Sequence, residues 1–401
     1  MASVCALRLP NRNIGRLYSK KRLTEKHNFN RTMKRLILLV VASVMMLATT
    51  AAEKAKINYV DAQKLNHIGK MCKTANPYNR VEVANYPELN KKESELLRCC
   101  AGEAILFETD ATEIWVKAKY GYRGFNRAMP ATAGVGFNLF IERDGEWLWA
   151  ASKCNADGKD KKTGEARIEK PLRMIANMSA ETKKCIIYLP LFAELTSLEI
   201  GVPEGAKIKA LKNPFRHRIA IFGSSFTHGS CATCAGMTYP AFLQRQTGLY
   251  LCGFGMSGNS KLQRVMGEIL GGTKADAYIC DAFSNPTIAE IGERIRPFIN
   301  EIRAKNKKAP IIFLKTIYRE GRLFDLKADK KEQERIEYVD ALMKDIVKEY
   351  ADVYYVDVVN QTGTDHLTSA DGTHPYSWGY KRWADAIQQP ILDILAKYNI
   401  K

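Results

Sequence analysis

Ile219-Ala220-Ile221-Phe222-Gly223-Ser224-Ser225-Phe226-Thr227-His228-Gly229 decides how the chain is read. An apolar strand pattern runs into a turn of small residues, and a helical pattern follows a few residues later. That order holds a serine hydroxyl up at the end of a parallel strand. Ser225 is therefore the first candidate nucleophile. Taken alone, Gly-Ser-Ser reads equally as an ordinary strand-to-helix turn, because short motifs match by chance. The flanking sequence has to decide.

Downstream of Asn213-Pro214, apolar runs at Ile219 to Phe222, Leu249 to Gly253, Ala277 to Cys280, Ile311 to Leu314 and Val353 to Val356 alternate with helical patterns near 239–247, 259–270, 287–305, 331–349 and 378–397. Five strands alternating with helices predict an α/β fold, a three-layer doubly wound parallel sheet whose ligands bind beyond the carboxyl ends of the strands. Function is to be sought where those strands end.

The second strand runs into Gly253-Phe254-Gly255-Met256-Ser257-Gly258-Asn259, a loop whose backbone N–H groups suit a phosphate or an oxyanion. It lacks the Lys-Ser/Thr ending of a P-loop, and its Gly-x-Gly-x-x-Gly spacing is a weak dinucleotide signal. The third strand ends in Asp281-Ala282-Phe283-Ser284-Asn285-Pro286-Thr287; Asn285 either donates to a developing oxyanion or simply ends the strand. After the fifth strand comes Ser369-Ala370-Asp371-Gly372-Thr373-His374-Pro375. A histidine base needs a partner that fixes its tautomer, and an aspartate three residues earlier in a turn reaches the far ring nitrogen. Asp371 with His374 is preferred to Asp365-His366, since adjacent side chains point apart. His67, His217 and His228 read as structural or exposed, with His228 near enough to the serine turn to line a pocket.

Upstream, residues 53–212 carry short, punctuated strand patterns, among them Ala104 to Phe107, Glu113 to Tyr120, Val135 to Glu142, Trp147 to Ala151, Lys184 to Leu189, Ser197 to Val202 and Lys207 to Leu211. Asp144-Gly145 is a hairpin-turn signal. An all-β sandwich or jelly roll is predicted to precede the α/β part at 213–401.

The four strand-end stretches, in this order, resemble those of the SGNH or GDSL hydrolase superfamily. Ser225, Gly255, Asn285 and His374 match the four residues that name it, and Asp371 matches the aspartate of its Asp-x-x-His. The resemblance covers about residues 215–398 and implies acyl-ester hydrolysis on a flavodoxin-like sheet. Ser225 would attack, His374 would carry the proton, and Asp371 would orient His374. The N–H groups of Ser225 and Gly255 and the Asn285 amide would form the oxyanion hole. The family's first block usually reads Gly-Asp-Ser, whereas Ser224 stands here in place of that Asp. Gly136-Phe137-Asn138-Leu139-Phe140 likewise resembles the Gly-x-Asp-Leu-Tyr motif of a β-sandwich that precedes some bacterial hydrolases of this type, with Asn138 and Phe140 departing from it.

Composition narrows the remaining choices. The formal net charge is +18, but residues 1–52 hold ten Lys or Arg against one acidic residue, Glu25. Residues 53–401 carry 51 basic and 42 acidic residues, interspersed rather than gathered in a stripe, which argues against nucleic acid as a partner. Lys34-Arg35, the 13-residue apolar run Leu36 to Ala48 and the small residues Thr49 to Ala52 have the order of a secretory signal peptide, with cleavage near Ala51 or Ala52. The run is shorter than the roughly 20 residues that span a bilayer, so no stable membrane anchor is expected. Met33 stands where such a peptide begins, so residues 1–32 are read as upstream of the true start; an organellar transit peptide is the alternative. A periplasmic or extracellular protein is expected.

Nine cysteines follow the leader, an odd number that leaves at least one thiol outside any internal disulfide. Cys231-x-x-Cys234 reads as a local disulfide or as two loop thiols, without the further ligands of a zinc site. No metal and no cofactor are called for. The expected substrate is an acylated small molecule or glycan, with an O-acetyl ester on carbohydrate as the leading case and a lipase, a thioesterase or a catalytically degenerate carbohydrate-binding protein as alternatives. Phe226, Phe254 and Phe283 are candidates to line an acyl pocket. Oligomeric state is not legible.

Overall fold

Strand alternation builds the upstream half. The computed structural model describes residues 33, 56–124, 128–164 and 166–400; the signal-peptide reading of residues 34–52 falls outside them. The upstream elements are β1 (Ile57–Asp61), β2 (Asn66–Ile68), α1 (Lys91–Arg98), β3 (Ala104–Thr109), β4 (Ile114–Arg123), α2 (Ala131–Gly134), β5 (Phe137–Arg143), β6 (Glu146–Lys153), β7 (Leu172–Ile175), β8 (Lys183–Tyr188), β9 (Ala193–Pro203) and β10 (Ile208–Ala210). One antiparallel sheet has the order β1-β9-β4-β7 and a second the order β10-β3-β8-β5-β6, with β2 added on β3. The hairpin turn between β5 and β6 is Asp144-Gly145 with φ of 55° and 86°, the left-handed pair that a two-residue loop requires.

Period-two alternation sends the two faces of the second sheet into different cores. Ile105, Phe107, Leu139, Cys185 and Ile187 join Ile114, Val116, Leu198 and Ile200 of the first sheet, closing the sandwich. Their sequence neighbours Ala104, Leu106, Phe140, Ile186 and Tyr188 point the other way and share a core with Ile219, Ile221, Leu251 and Tyr239 of the downstream half. Residues 57–401 accordingly form one compact unit.

The downstream half contains β11 (Arg216–Gly223), α3 (Ser225–His228), α4 (Tyr239–Thr247), β12 (Leu249–Gly255), α5 (Arg264–Gly272), β13 (Ala277–Asp281), α6 (Ile288–Lys305), β14 (Ile311–Leu314), α7 (Leu326–Glu349), β15 (Val353–Val356) and α8 (Ser377–Ala396). The parallel sheet has the order β12-β11-β13-β14-β15. Helix α4 packs with α8, and α5 with α6, so the sheet is covered on both faces, as its fully buried strands require.

Differences from the expected boundaries have local causes. Helix α5 starts at Arg264 rather than 259 because Gly258 and Leu262 adopt positive φ and keep the intervening chain in turns. Helix α7 begins five residues earlier than its apolar periodicity indicates, because the Asp325 carboxylate accepts from the N–H groups of Lys327 and Ala328. The unexpected α1 is announced by Asn90-Lys91-Lys92-Glu93, a capping box formed in both directions.

Arg80 joins the two halves. Its side chain is completely buried; Nε donates to Cys99 O (2.7 Å), Nη1 to Gly253 O (3.2 Å), and Nη2 to Gly255 O (3.0 Å) and to Leu96 O. A buried cation is here met by carbonyl dipoles at the end of β12 and the end of α1, where the helix also presents its negative pole. Arg80→Met keeps most of the volume but orphans those carbonyls at about 1–3 kcal/mol each. Urea unfolding of this variant is expected to show one transition at a clearly lower midpoint. An unchanged midpoint would mean that water replaces the guanidinium.

Candidate active site

Register places the candidate residues side by side. Gly223 at the end of β11 pairs with Gly255 of β12 on one side and with Asp281 of β13 on the other. The chain then leaves β11 into the single turn α3, with Ser224 as its N-cap and Gly229 (φ 95°) closing it. A Cβ on Gly223 would fall 2.1 Å from Thr227 Oγ1, and one on Gly255 would fall 2.4 Å from the His228 nitrogen. Both positions therefore need glycine because backbone and side chains approach too closely for anything larger.

Ser225, His374 and Asp371 are brought together in one chain of hydrogen bonds. Ser225 Oγ lies 2.8 Å from His374 Nε2, and His374 Nδ1 lies 2.8 Å from Asp371 Oδ2. The other carboxylate oxygen, Oδ1, accepts from the backbone N–H groups of Thr373 (2.9 Å) and His374 (2.7 Å). Partial burial works against the charge on Asp371, but its hydrogen bonds with the His374 ring, the His374 N–H and the Thr373 N–H prevail and hold the carboxyl well below the usual range. An ionised acceptor at Nδ1 leaves the Nε2 lone pair facing the Ser225 hydroxyl, the tautomer a general base needs. Phe226 supports the ring edge-on, with centroids 5.5 Å apart.

Each surrounding loop is held from behind. Asn285 Oδ1 accepts from Ser260 N and Oγ, both at 3.3 Å, which commits the oxygen to the protein and leaves Nδ2 as the donor end. Arg319 Nη2 and Arg335 Nη1 both donate to Ser284 O (2.8 and 3.1 Å), and both pair with Glu332. Gly321 N donates to Gly372 O (2.6 Å), tying the segment after β14 to the Asp371–His374 turn. The β-sandwich supplies the rest: Thr132 Oγ1 donates to Thr233 O (2.8 Å), and Asn138 Oδ1 accepts from Gly236 N (3.1 Å). The Gly-x-Asp-Leu-Tyr-like motif therefore braces the loop that follows the serine turn.

The phenylalanine expectation is corrected, and the readings left open are decided. Phe226, Phe254 and Phe283 are all buried in the core, with Phe283 stacked on Phe313, so none is an open pocket wall. His228 is fully buried; it bonds Leu191 O (2.7 Å) and stacks on Phe192, and burial pushes it down to about 3. That is a structural role. His366 pairs with Glu320 and Asp365 with Arg382, which leaves Asp371 to His374. The nine cysteines after residue 52 are thiols, none in a disulfide. Cys231 Sγ lies 3.7 Å from Asp371 Oδ2, and Cys231, Asp371 and His374 are the one metal-capable trio among the described residues. Two of its three members already serve the serine. Sequence reasoning missed the exposed apolar tip Leu323, Phe324 and Leu326 beside Gly321, whose charged neighbours mask it in any hydropathy average.

A family model described as GDSL-like lipase/acylhydrolase matches residues 216–392, and one for the N-terminus of SGNH-hydrolase-type esterases matches residues 57–208. A crystal structure from Bacteroides ovatus, of a protein assigned as GDSL-like lipase, is 33% identical with a TM-score of 0.79, covering 85% of this chain and 98% of that one. The chain belongs to the GDSL-like lipase/acylhydrolase family. It is an ester-bond hydrolase with the family's five-stranded parallel sheet, preceded by antiparallel β-sheets. This hydrolase shares its fold with a salicylyl-acyltransferase of a tetracycline biosynthetic pathway (17% identity, TM-score 0.63, 86% of this chain and 99% of that one). It also shares it with a family two carbohydrate esterase from Clostridium thermocellum, solved with cellohexaose (15%, 0.52, 74% and 93%). Among curated proteins none matches the chain.

Because a Cβ at Gly255 would meet the backbone of the turn that carries Ser225, Gly255→Ala is expected to lower kcat about 100-fold, the scale of a 1 Å misplacement. Steady-state kinetics beside a thermal melt checks this; wild-type kcat would show that the turn can yield.

Proposed function

We propose that this hydrolase removes O-acyl groups, with acetyl on carbohydrate as the leading substrate class, through Ser225, His374 and Asp371. The observation that carries the reading is the unbroken 2.8 Å, 2.8 Å chain from hydroxyl through imidazole to carboxylate at the strand ends. Ser225 Oγ attacks the ester carbonyl while His374 Nε2 takes its proton, and the Ser225 N–H with Asn285 Nδ2 receives the oxyanion; the Gly255 N–H, expected to join them, lies with its carbonyl on the Arg80 side of β12. His374 returns the proton to the departing sugar oxygen. Water, deprotonated by the same nitrogen, then releases the acid from Ser225.

The carbohydrate half of the proposal is supported by the fold shared with the cellohexaose-bound esterase and by the sandwich, which contacts the serine loop through Thr132 and Asn138. In this reading residues 53–212 are an accessory domain, residues 213–401 the catalytic one, and residues 1–52 a leader cleaved near Ala51 or Ala52 on export to the periplasm or beyond. A second reading, hydrolysis of longer acyl chains, is favoured by one observation, the exposed tip at Leu323, Phe324 (92% exposed) and Leu326 beside the Asp371–His374 turn.

Ser225→Ala is expected to lower turnover of an activated acetyl ester by at least about 10³-fold with an unchanged melting temperature; persisting turnover would remove Ser225 as nucleophile. Rates across acetyl, butyryl and octanoyl esters decide between the two substrate classes, with a fall beyond acetyl expected. An octanoyl preference would favour the lipase reading.

A further inference from the structure

The family block places an aspartate immediately before the nucleophile, and this chain has Ser224 there. A carboxylate nevertheless stands beside Ser224. Asp281, at the end of the neighbouring strand β13, is fully buried and pairs in register with Gly223. Its Oδ2 accepts from Ser224 Oγ (2.8 Å), Thr227 Oγ1 (3.1 Å) and Ser224 N (3.3 Å). Ser224 Oγ in turn accepts from Phe226 N (3.1 Å), and Thr227 Oγ1 meets Tyr239 OH (2.8 Å). Residues on both sides of Ser225 thus hang from one oxygen of one buried carboxylate.

We propose that Asp281 is the positioning residue of the nucleophile turn, supplying from the adjacent strand the carboxylate that the family block carries at position 224. The proposal rests on Ser225 being the nucleophile. Three features support it. A carboxylate so placed is costly, since Oδ1 has no partner among the described residues. Burial pushes the group up to about 6, and only the Ser224 and Thr227 bonds and the more distant Arg319 draw it back, with the Tyr239 and Tyr380 hydroxyls and Cys280 as its other titratable neighbours. Finally, any Cβ at Gly223 would collide with Thr227 Oγ1 and Asp281, so the turn is built against this side chain. Ser224 is then a relay: it receives from the turn and donates to Asp281, a task an aspartate at 224 would perform directly.

The test is a carboxylate transfer. Asp281→Asn is expected to lower kcat about 10- to 100-fold with KM within about twofold, because the turn loosens while the substrate surface is untouched. Adding Ser224→Asp to that variant returns the carboxylate to its place in the family block and is expected to bring kcat to within about tenfold of wild type and at least about fivefold above Asp281→Asn. Wild-type kcat in Asp281→Asn, or a double variant no better than the single one, overturns the proposal. Should Asp281→Asn fail to fold, the double variant decides alone: folded and active supports the transfer, unfolded or inactive refutes it. Ser225→Ala run in parallel keeps the outcomes separate, since turnover surviving there would indict the nucleophile rather than Asp281.

Discussion

A single buried guanidinium sets the terms for the rest of the molecule. Arg80 lies in the upstream half, yet two of its bonds reach the carbonyls of Gly253 and Gly255 at the end of β12. A charge excluded from water must be met by dipoles, and the carbonyls that meet it cannot drift without stranding it. The end of β12 is thereby fixed with its carbonyls turned toward Arg80. The sandwich is in this sense part of the frame of the site.

The same device recurs around the strand ends. Arg319 and Arg335 converge on Ser284 O, one residue before Asn285, while the carboxylate of Glu332 balances them. The Asp371–His374 turn is stitched by its own backbone and by Gly321. Preorganised donors stabilise a developing charge only if they need not move to do so. In this protein the chain at the strand ends is anchored through its carbonyls, at Gly253, Gly255, Ser284 and Gly372. Arginine suits that task because its fork reaches several acceptors at once and keeps its charge when buried.

Much of this was legible in the sequence, for reasons that also explain the rest. Parallel strands buried on both faces read as unbroken apolar runs, so β11 to β15 stand out, and with them the places where side chains emerge. Ser225, Gly255, Asn285, Asp371 and His374 follow from those ends together with the family resemblance. Asp281 was in view as part of a strand-end stretch but not as a partner of Ser224, because that contact depends on the lateral register of β11 against β13. Arg80 left no trace either; its partners are backbone carbonyls, which every residue possesses. Proximity in sequence to a strand end does not say which layer a ring enters, and Phe226, Phe254 and Phe283, candidates for an acyl pocket by sequence, lie in the core. Helix α1 was missed although its capping residues were in plain sight, since its short length gives little periodicity to read.

The second antiparallel sheet spends alternate residues of the same strands on two different interiors, as Leu106 and Phe107 or Ile186 and Ile187 show. A genetic exchange that joined this parallel sheet to a foreign partner at the Asn213-Pro214 junction would strip the cover from Ile219, Ile221 and Leu251 while leaving Leu106, Phe140 and Ile186 facing water. Crossovers there would be purged in most pairings. The two halves are therefore bound to diverge as one heritable block, with changes on one side of the shared face answered by changes on the other, even though each half has a fold that looks complete when drawn by itself.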